Sequence, residues 1–185
     1  MRLFVALVIP SAVRESLAAF LTQLRAISRE PRWVRPENLH VTLKFLGEVP
    51  DARVETIRAA LGNVRSNEPV NLDFRCLGFF PNDKHPRVFW VGIDASPNLM
   101  QLVSDVEAAA EDCGVPREQH PFSPHLTLAR IESRRLPESL RGAIAESAGK
   151  DFGVLRSNEF HLIQSKLRPS GAEYTTLARF SFARG

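Results

Sequence analysis

Two short apolar runs, each preceded by an arginine, predict two buried β-strands. The first run covers Leu3–Ile9, the second covers Val88–Ile93, and Arg87 follows Arg2 by 85 positions. Neither run approaches the ~20 apolar residues that are needed to cross a bilayer. The first run has the outline of a signal peptide, but its recurrence in the middle of the chain favours a strand. We therefore expect a cytoplasmic protein with no membrane segment.

An amphipathic helix is predicted after each of these strands, from apolar residues at helical spacing. The first helix begins at Ser11, and the second has Ser96 as its N-cap, Pro97 at its first helical position and Gly114 at its end. The apolar face of the first helix comprises Val13, Leu17, Phe20, Leu21, Leu24 and Ile27. The corresponding face of the second comprises Leu99, Leu102, Val103, Val106, Ala109 and Ala110.

The two halves of the chain also share residue types at the same offset of 85. The corresponding pairs are Pro36 and Pro121, His40 and His125, and Thr42 and Thr127. Shorter helices are predicted over 51–64 and 137–147, and further strands over 70–77, 159–164 and 174–182. Each half is thus predicted as strand, helix, strand, helix, strand, with one additional strand at the C-terminus.

This order of elements predicts an α+β fold, organised as one bilobal domain over residues 1–185. The internal repeat spans about residues 2–78 and 87–165. We expect each repeat to form one lobe, a mainly antiparallel sheet with helices, and the two pseudo-symmetric lobes to enclose a central cleft. The chain has no long linker, so the lobes are expected to pack as one unit, and we expect a monomer.

Two His-x-Thr motifs are the strongest candidates for a functional site. Residues i and i+2 share one face of a strand, so His40 and Thr42 point the same way, with Lys44 beyond them and Phe45 toward the core. His125 and Thr127 repeat this arrangement. Pseudo-symmetry brings the two polar faces together across the cleft, where they supply two imidazoles and two hydroxyls.

Two imidazoles in one site indicate acid–base catalysis near neutral pH, since an unperturbed histidine titrates at about 6.5. One neutral ring takes a proton from a water molecule, while a protonated ring gives one to the leaving oxygen. A phosphodiester phosphorus is the obvious centre for such an in-line displacement. The hydroxyls of Thr42 and Thr127 can donate to its non-bridging oxygens, and Arg130 adds a charged donor. Strict alternation turns Arg130 toward the core, so this role requires a bulge or a strand end there.

The other histidines and the composition indicate no second site. His85 and His120 are interpreted as solvated loop residues and His161 as structural. Zinc would need three or more ligands, and the motifs supply two histidines without a carboxylate, so we expect no metal and no cofactor. The formal charge of +3 suits a small anionic ligand or a short nucleic acid better than duplex DNA. Four aromatic residues could stack on bases, although core packing is the favoured interpretation: Phe79, Phe80, Phe89 and Trp90.

Several stretches resemble the two-histidine phosphoesterase superfamily, and within it the bacterial and archaeal RNA 2′,3′-cyclic phosphodiesterases, which are also called 2′-5′ RNA ligases. The first stretches are Arg2-Leu3-Phe4-Val5-Ala6 and Trp33-Val34-x-Pro36-Glu37-Asn38-Leu39-His40-Val41-Thr42-Leu43-Lys44-Phe45-Leu46-Gly47. The later ones are Phe122-x-Pro124-His125-Leu126-Thr127-Leu128-Ala129-Arg130, Leu162–Ser165 and Gly171-Ala172-x-Tyr174. The resemblance covers essentially the whole chain.

The resemblance implies metal-independent hydrolysis of RNA 2′,3′-cyclic phosphate ends to 2′-phosphomonoesters. By analogy, His40 is the proton donor to the departing 3′ oxygen, His125 is the proton acceptor from water, and Thr42 and Thr127 hold the phosphate. Some relatives also join RNA ends through a 2′-5′ linkage. Two alternatives stay open: a related activity on 2′-5′ oligoadenylate or on a nucleotide-derived cyclic phosphate, and a non-catalytic module that binds RNA ends.

Overall fold

A computed structural model describes residues 1–169 and 171–182, which form nine strands, four α-helices and a short 3₁₀ turn. The helices are α1 Ser11–Ile27, α2 Asp51–Leu61, α3 Asn98–Asp112 and α4 Glu138–Glu146, and the 3₁₀ turn is Pro36–Asn38. The strands of the first half are β1 Arg2–Val8, β2 Arg32–Trp33, β3 His40–Glu48 and β4 Val70–Phe80. The remaining strands are β5 Val88–Ala95, β6 His125–Arg130, β7 Asp151–Ser157, β8 Glu159–Arg168 and β9 Gly171–Ser181.

The strands of the described residues form two sheets in which every neighbouring pair is antiparallel. The first sheet has the order β3-β1-β8-β9, and the second has the order β2-β6-β5-β4-β7. This arrangement of two antiparallel sheets with helices confirms the predicted α+β class.

The sheets do not coincide with the two halves of the sequence, contrary to the expectation that each repeat forms its own lobe. Strand β4 belongs to the first half but pairs with β5 in the second sheet, and β8 belongs to the second half but pairs with β1 in the first sheet. The short connection from β4 to β5 explains part of this exchange, because consecutive strands joined by a short loop pair as a hairpin. The two halves therefore exchange strands.

Two strands and one helix cap differ from the sequence prediction. Strands β2 and β7 were not predicted. β7 is an edge strand of the second sheet, and its buried apolar residues Phe152 and Leu155 do not alternate, because Val154 between them is 63% exposed. The N-cap of α3 is Pro97 instead of Ser96. The Ser96 hydroxyl contacts the side chain of Asn98 at 2.6 Å and accepts from the Asn71 backbone at 2.9 Å, so it is not available to cap the helix.

One hydrophobic core joins the two sheets and the helices. The apolar faces predicted for α1 and α3 are buried in it, except that Ala109 on α3 is half-buried and Ile27 at the end of α1 is exposed. Buried residues of β1 and β3 belong to the same cluster as those of β5 and β6. A common core holds the two sheets in a fixed relation, which is what a site built from both of them requires. None of the helices in the described part of the chain is both long and apolar enough to span a membrane.

Candidate active site

A cleft between the two sheets contains all five residues that the sequence singles out. Strands β3 and β6 contact each other where the sheets meet. His40 and Thr42 come from β3, while His125, Thr127 and Arg130 come from β6. All five line one cleft of about 550 Å³. The residues selected from the internal repeat are therefore close in space. Their chemical roles stay predictions.

A bulge in β6 turns Arg130 toward the cleft. Along the β5–β6 pair, Trp90 lies opposite Thr127 but Phe89 lies opposite Ala129, so Leu128 is the extra residue. A bulge of this kind shifts the alternation of side chains by one position. Ala129 is consequently buried, while Arg130 is exposed and lines the cleft. This is the irregularity that a phosphate-binding role for Arg130 requires.

An equivalent bulge in β3 overturns the predicted orientations of Lys44 and Phe45. Thr42 pairs with Ala6 and Lys44 pairs with Val5, so Leu43 is the extra residue. Lys44 is therefore buried, whereas Phe45 is 59% exposed and lines the cleft. The strict alternation used in the sequence prediction fails here because a one-residue bulge exchanges the two faces of the strand.

The two bulges make the cleft chemically asymmetric. Phe45 follows His40 by five positions, as Arg130 follows His125. The two side chains thus occupy equivalent places in the repeat, one beside each histidine motif. One motif presents an aromatic ring to the cleft and the other presents a guanidinium.

Lys44 forms a buried ion pair that ties β3 to α3 and to the loop before β6. Its Nζ donates to Glu107 Oε2 at 2.6 Å and to the Pro116 carbonyl at 2.9 Å. The same carboxylate oxygen accepts from the Glu118 backbone N–H at 3.2 Å. The side chains of Lys44 and Glu107 are only 3% and 12% exposed. This network fixes the loop around residues 116–118 against the strand that carries His40.

We expect Lys44→Met to lower the free energy of unfolding by about 3–5 kcal/mol, because the buried carboxylate of Glu107 then lacks a counter-charge. Arg58→Met is the matched control: Arg58 pairs with Glu55 at 3.5 Å on the exposed face of α2, and an exposed pair contributes about 1 kcal/mol at most. Denaturant titration measures both changes. Equal losses in the two variants would contradict a buried, structural ion pair.

Each of the two candidate catalytic histidines is held by a hydrogen bond to the backbone carbonyl two residues before it. His40 Nδ1 lies 2.6 Å from the Asn38 carbonyl, and His125 Nδ1 lies 2.7 Å from the Ser123 carbonyl. A carbonyl oxygen only accepts hydrogen bonds, so Nδ1 carries the hydrogen in each ring. The neutral rings therefore keep their lone pair on Nε2, and in His40 this atom lies 2.9 Å from Thr42 Oγ1, which donates to it. Each ring thus has one nitrogen for orientation and the other for proton transfer.

The surroundings of the two imidazoles differ. The ring of His40 packs on Phe4, with centroids 4.7 Å apart, and against the edge of Tyr174 at 5.3 Å. Burial lowers the pKa of His40 below its ordinary value of 6.5, and the hydrogen bond to Asn38 opposes this shift only in part. His125 instead meets the Phe80 ring edge-on at 4.9 Å. In the free protein His40 is therefore mainly neutral at pH 7.

We expect NMR titration of the imidazole nitrogens to give His40 a pKa below 6.5 in the free protein, because burial disfavours the imidazolium. Tyr174→Ser removes a covering ring, so it should raise this pKa by admitting water. Inorganic phosphate should also raise it, because a bound anion stabilises the charged ring. A His40 pKa at or above 6.5 in the free wild-type protein would contradict this description of the site.

Sequence reasoning assigned no role to several other polar residues of the cleft, among them Arg2 on β1 and Tyr174 on β9. Burial raises the pKa of the Tyr174 phenol, while the nearby charges of Arg130 and Arg2 oppose the shift. The phenol therefore keeps its proton at neutral pH and is available as a donor. The sequence contains Tyr174 in a stretch that resembles the family, but only the register of the first sheet brings it to His40.

Neither His120 nor His161 lines the cleft, although His120 lines the adjoining cavity beside His125. His120 is exposed and contacts the Glu118 carboxylate at 3.0 Å, and His161 is buried on β8 with its Nε2 2.8 Å from the Glu159 carboxylate. Within residues 1–169 and 171–182, no group of three or more His, Cys, Asp or Glu side chains is arranged to hold a metal ion.

Known proteins are similar to this chain over nearly its whole length. The family described as LigT like Phosphoesterase matches twice, over residues 7–90 and 91–174. A curated relative from Archaeoglobus fulgidus, named RNA 2′,3′-cyclic phosphodiesterase, is 35% identical over 180 residues, which cover 97% of this chain and 99% of the relative. Another from Methanocaldococcus jannaschii, with the same name, is 31% identical over 96% of this chain and 98% of its own. These relatives confirm the prediction of an enzyme of the phosphoesterase kind.

Solved structures give the same result. The crystal structure of TT0787 from Thermus thermophilus is similar with a TM-score of 0.80 at 33% identity, covering 98% of both chains. That of E. coli LigT complexed with 3′-AMP has a TM-score of 0.78 at 28% identity, covering 99% of this chain and 98% of LigT. The chain therefore belongs to the LigT-like phosphoesterases, the two-histidine family that its paired motifs predict.

Proposed function

We propose that this protein hydrolyses RNA 2′,3′-cyclic phosphate ends to 2′-phosphomonoesters, with its two cleft histidines as acid and base and without a metal. The observation that carries the proposal is the pair of imidazoles on contacting strands, each anchored through Nδ1 so that Nε2 is the reactive nitrogen. The curated relatives named above are RNA 2′,3′-cyclic phosphodiesterases, which supports this substrate class.

In the proposed reaction, His125 Nε2 accepts a proton from water as the water oxygen bonds to phosphorus. The bond between phosphorus and the 3′ oxygen breaks on the opposite side, and His40 Nε2 donates a proton to that oxygen. The 2′ oxygen stays on phosphorus, so the product is a 2′-phosphomonoester. Each proton transfer contributes typically ~10²–10⁴ in rate. The assignment of donor and acceptor follows the family resemblance.

The hydroxyls and the guanidinium bind the phosphate in this proposal. Charge grows on the non-bridging oxygens in the transition state, where donors already in position are most effective. Arg130 supplies a charged, two-point donor, and the protonated phenol of Tyr174 is near enough to take part. Arg2 also lines the cleft and adds a second positive charge to it.

The lowered pKa of His40 fits a donor that is charged only when substrate is bound. In the free protein the neutral ring accepts from the Thr42 hydroxyl. An anionic phosphate favours the imidazolium, whose Nε2 then donates instead of accepting. The Thr42 hydroxyl is thereby released to donate to the phosphate. Protonation of His40 and phosphate binding thus support each other.

The direct test is an assay on an oligonucleotide with a 2′,3′-cyclic phosphate end, in the presence of EDTA. We expect conversion to a 2′-phosphate end, and the His40→Ala/His125→Ala protein guards against contaminating enzymes. Tight binding of the cyclic end without turnover would favour the RNA-end binding module. Turnover of 2′-5′ oligoadenylate but not of the cyclic end would favour the related phosphodiesterase, and loss of activity in EDTA would contradict metal independence.

A further inference from the structure

The cleft contains more positive charge than a single cyclic phosphate needs. Three arginines line it, Arg2, Arg32 and Arg130, and no aspartate or glutamate among the described residues does so. A cyclic phosphate carries one negative charge, and the proposed reaction uses Arg130 to bind it. Arg2 and Arg32 therefore give the cleft a further positive potential that a second anionic group can neutralise.

Arg32 and Arg130 face each other on neighbouring strands. They are direct partners in the antiparallel pair of β2 and β6, while the next pair, Trp33 and Ala129, packs against the core. Like charges that lie directly opposite in a sheet repel each other. Anions bound on this face relieve the repulsion, so the pair is suited to a ligand with two adjacent negative charges.

Arg32 also forms an ion pair outside the cleft. Its Nη1 lies 2.9 Å from Glu132 Oε1, and the two side chains are 75% and 72% exposed. An exposed ion pair of this kind is weak, and Glu132 does not line the cleft. A phosphate group inside the cleft can therefore compete with this carboxylate for Arg32.

Arg2 lies beyond the aromatic ring that supports His40. Arg2 and Phe4 share one face of β1, because they are two positions apart on a strand. Phe4 packs against the His40 ring with centroids 4.7 Å apart. Arg2 is therefore about 7 Å along the strand from the residue that contacts the proposed proton donor.

The proposed reaction places the terminal ribose on the same side as His40. The departing 3′ oxygen takes its proton from His40 Nε2, so the ribose that carries this oxygen lies next to His40. An RNA that ends in a cyclic phosphate has no nucleotide beyond that end, and its next phosphate is on the 5′ side of the terminal ribose. This second phosphate is therefore expected beyond His40, where Arg2 lies.

We propose that Arg2 and Arg32 form a subsite for the internucleotide phosphate that precedes the terminal nucleotide, so that the enzyme selects RNA chains over cyclic mononucleotides. This inference rests on the proposed function. Each guanidinium donates hydrogen bonds to the non-bridging oxygens of that phosphate, and no bond is made or broken there. The subsite binds the chain without reading its sequence, because a phosphate carries no base information.

The experiment compares two dinucleotides with a 2′,3′-cyclic phosphate end that differ only in the charge of the internucleotide linkage. One has a phosphodiester and the other a neutral methylphosphonate, and the first nucleoside is 2′-deoxy in both. We expect the wild-type kcat/KM to be about 10-fold higher for the charged linkage, the value of one hydrogen bond to a charged group. Arg32→Met and Arg2→Met should each bring this ratio closer to one.

Two further variants test whether the effect belongs to these arginines. Glu132→Gln removes the carboxylate that competes for Arg32, so it should raise the ratio. Arg75→Met is the matched control, because Arg75 is also exposed and paired with a carboxylate, that of Asp94, but lies on β4 and does not line the cleft. This control should keep the wild-type ratio.

A second comparison distinguishes an internucleotide phosphate from a terminal one, using adenosine 2′,3′-cyclic phosphate with and without a 5′-phosphate. A gain from the 5′-phosphate without a gain from the internucleotide phosphate would overturn the selection of RNA chains. Equal kcat/KM for the two linkages in the wild-type protein would overturn this inference alone, as would an unchanged ratio in either arginine variant. Absence of turnover on every substrate would overturn the proposed function and this inference with it.

Discussion

His40→Ala and His125→Ala are each expected to remove most of the hydrolysis of a 2′,3′-cyclic phosphate, with kcat falling by about 10²–10⁴ or more. Water activation and protonation of the leaving oxygen serve the same displacement, so the loss of one histidine also makes the other ineffective. The double variant should therefore be little worse than either single variant, because residues that act as a unit are far from additive. Steady-state kinetics at fixed pH measure all three.

His85→Ala is the matched control for these variants, since His85 is exposed in the loop between β4 and β5. It should retain wild-type kcat. Binding of inorganic phosphate should survive partly in both single variants, because Thr42, Thr127 and Arg130 stay in place. Independent, multiplicative losses in the double variant would contradict concerted use of the two rings, and full activity in either single variant would exclude that ring from the chemistry.

Thr42→Val and Thr127→Val are expected to lower kcat by about 10²–10³ each, the cost of removing one well-placed donor to a developing negative charge. Valine keeps the branched shape that suits a strand and removes only the hydroxyl. Thr42 also donates to His40 Nε2 in the free protein, so Thr42→Val should in addition change the His40 pKa seen by NMR.

Thr176→Val on β9 provides the control, because this threonine is exposed on a strand and does not line the cleft. It should leave kcat and KM as in the wild type. An unchanged kcat and KM in Thr42→Val or Thr127→Val would show that the hydroxyl concerned has only a structural role.

The periodicity of the sequence predicted the helices and the histidine motifs well, because each depends on local spacing. The apolar faces of α1 and α3 are buried largely as their 3.6-residue period requires. Likewise, the two His-x-Thr motifs were found from their common offset of 85, which needs no knowledge of which strands pair. Local pattern and internal repetition are thus sufficient for the elements and for the main residues of the site.

Local spacing did not predict how the strands pair, nor that Phe45 and Tyr174 line the cleft. An alternating pattern of apolar and polar residues identifies a strand but does not specify which strand it pairs with. The exchange of β4 and β8 between the two halves therefore could not be predicted from it. The bulges at Leu43 and Leu128 exchange strand faces, so Phe45 reaches the cleft although alternation assigned it to the core. Tyr174 lies far from His40 in the sequence, and only the pairing β3-β1-β8-β9 brings the two rings together.

The most direct measurement of the two-histidine mechanism uses a cyclic substrate whose leaving 3′ oxygen is replaced by sulfur. A thiolate leaves more easily than an alkoxide, since a thiol has a pKa of about 8.5, so protonation of the leaving group becomes less important. If His40 is the donor and His125 the acceptor, this substrate restores much of the activity of His40→Ala and little of that of His125→Ala. Rescue of His125→Ala instead would reverse the two roles. Equal rescue of both variants, or of neither, would contradict the division of acid and base between the two rings.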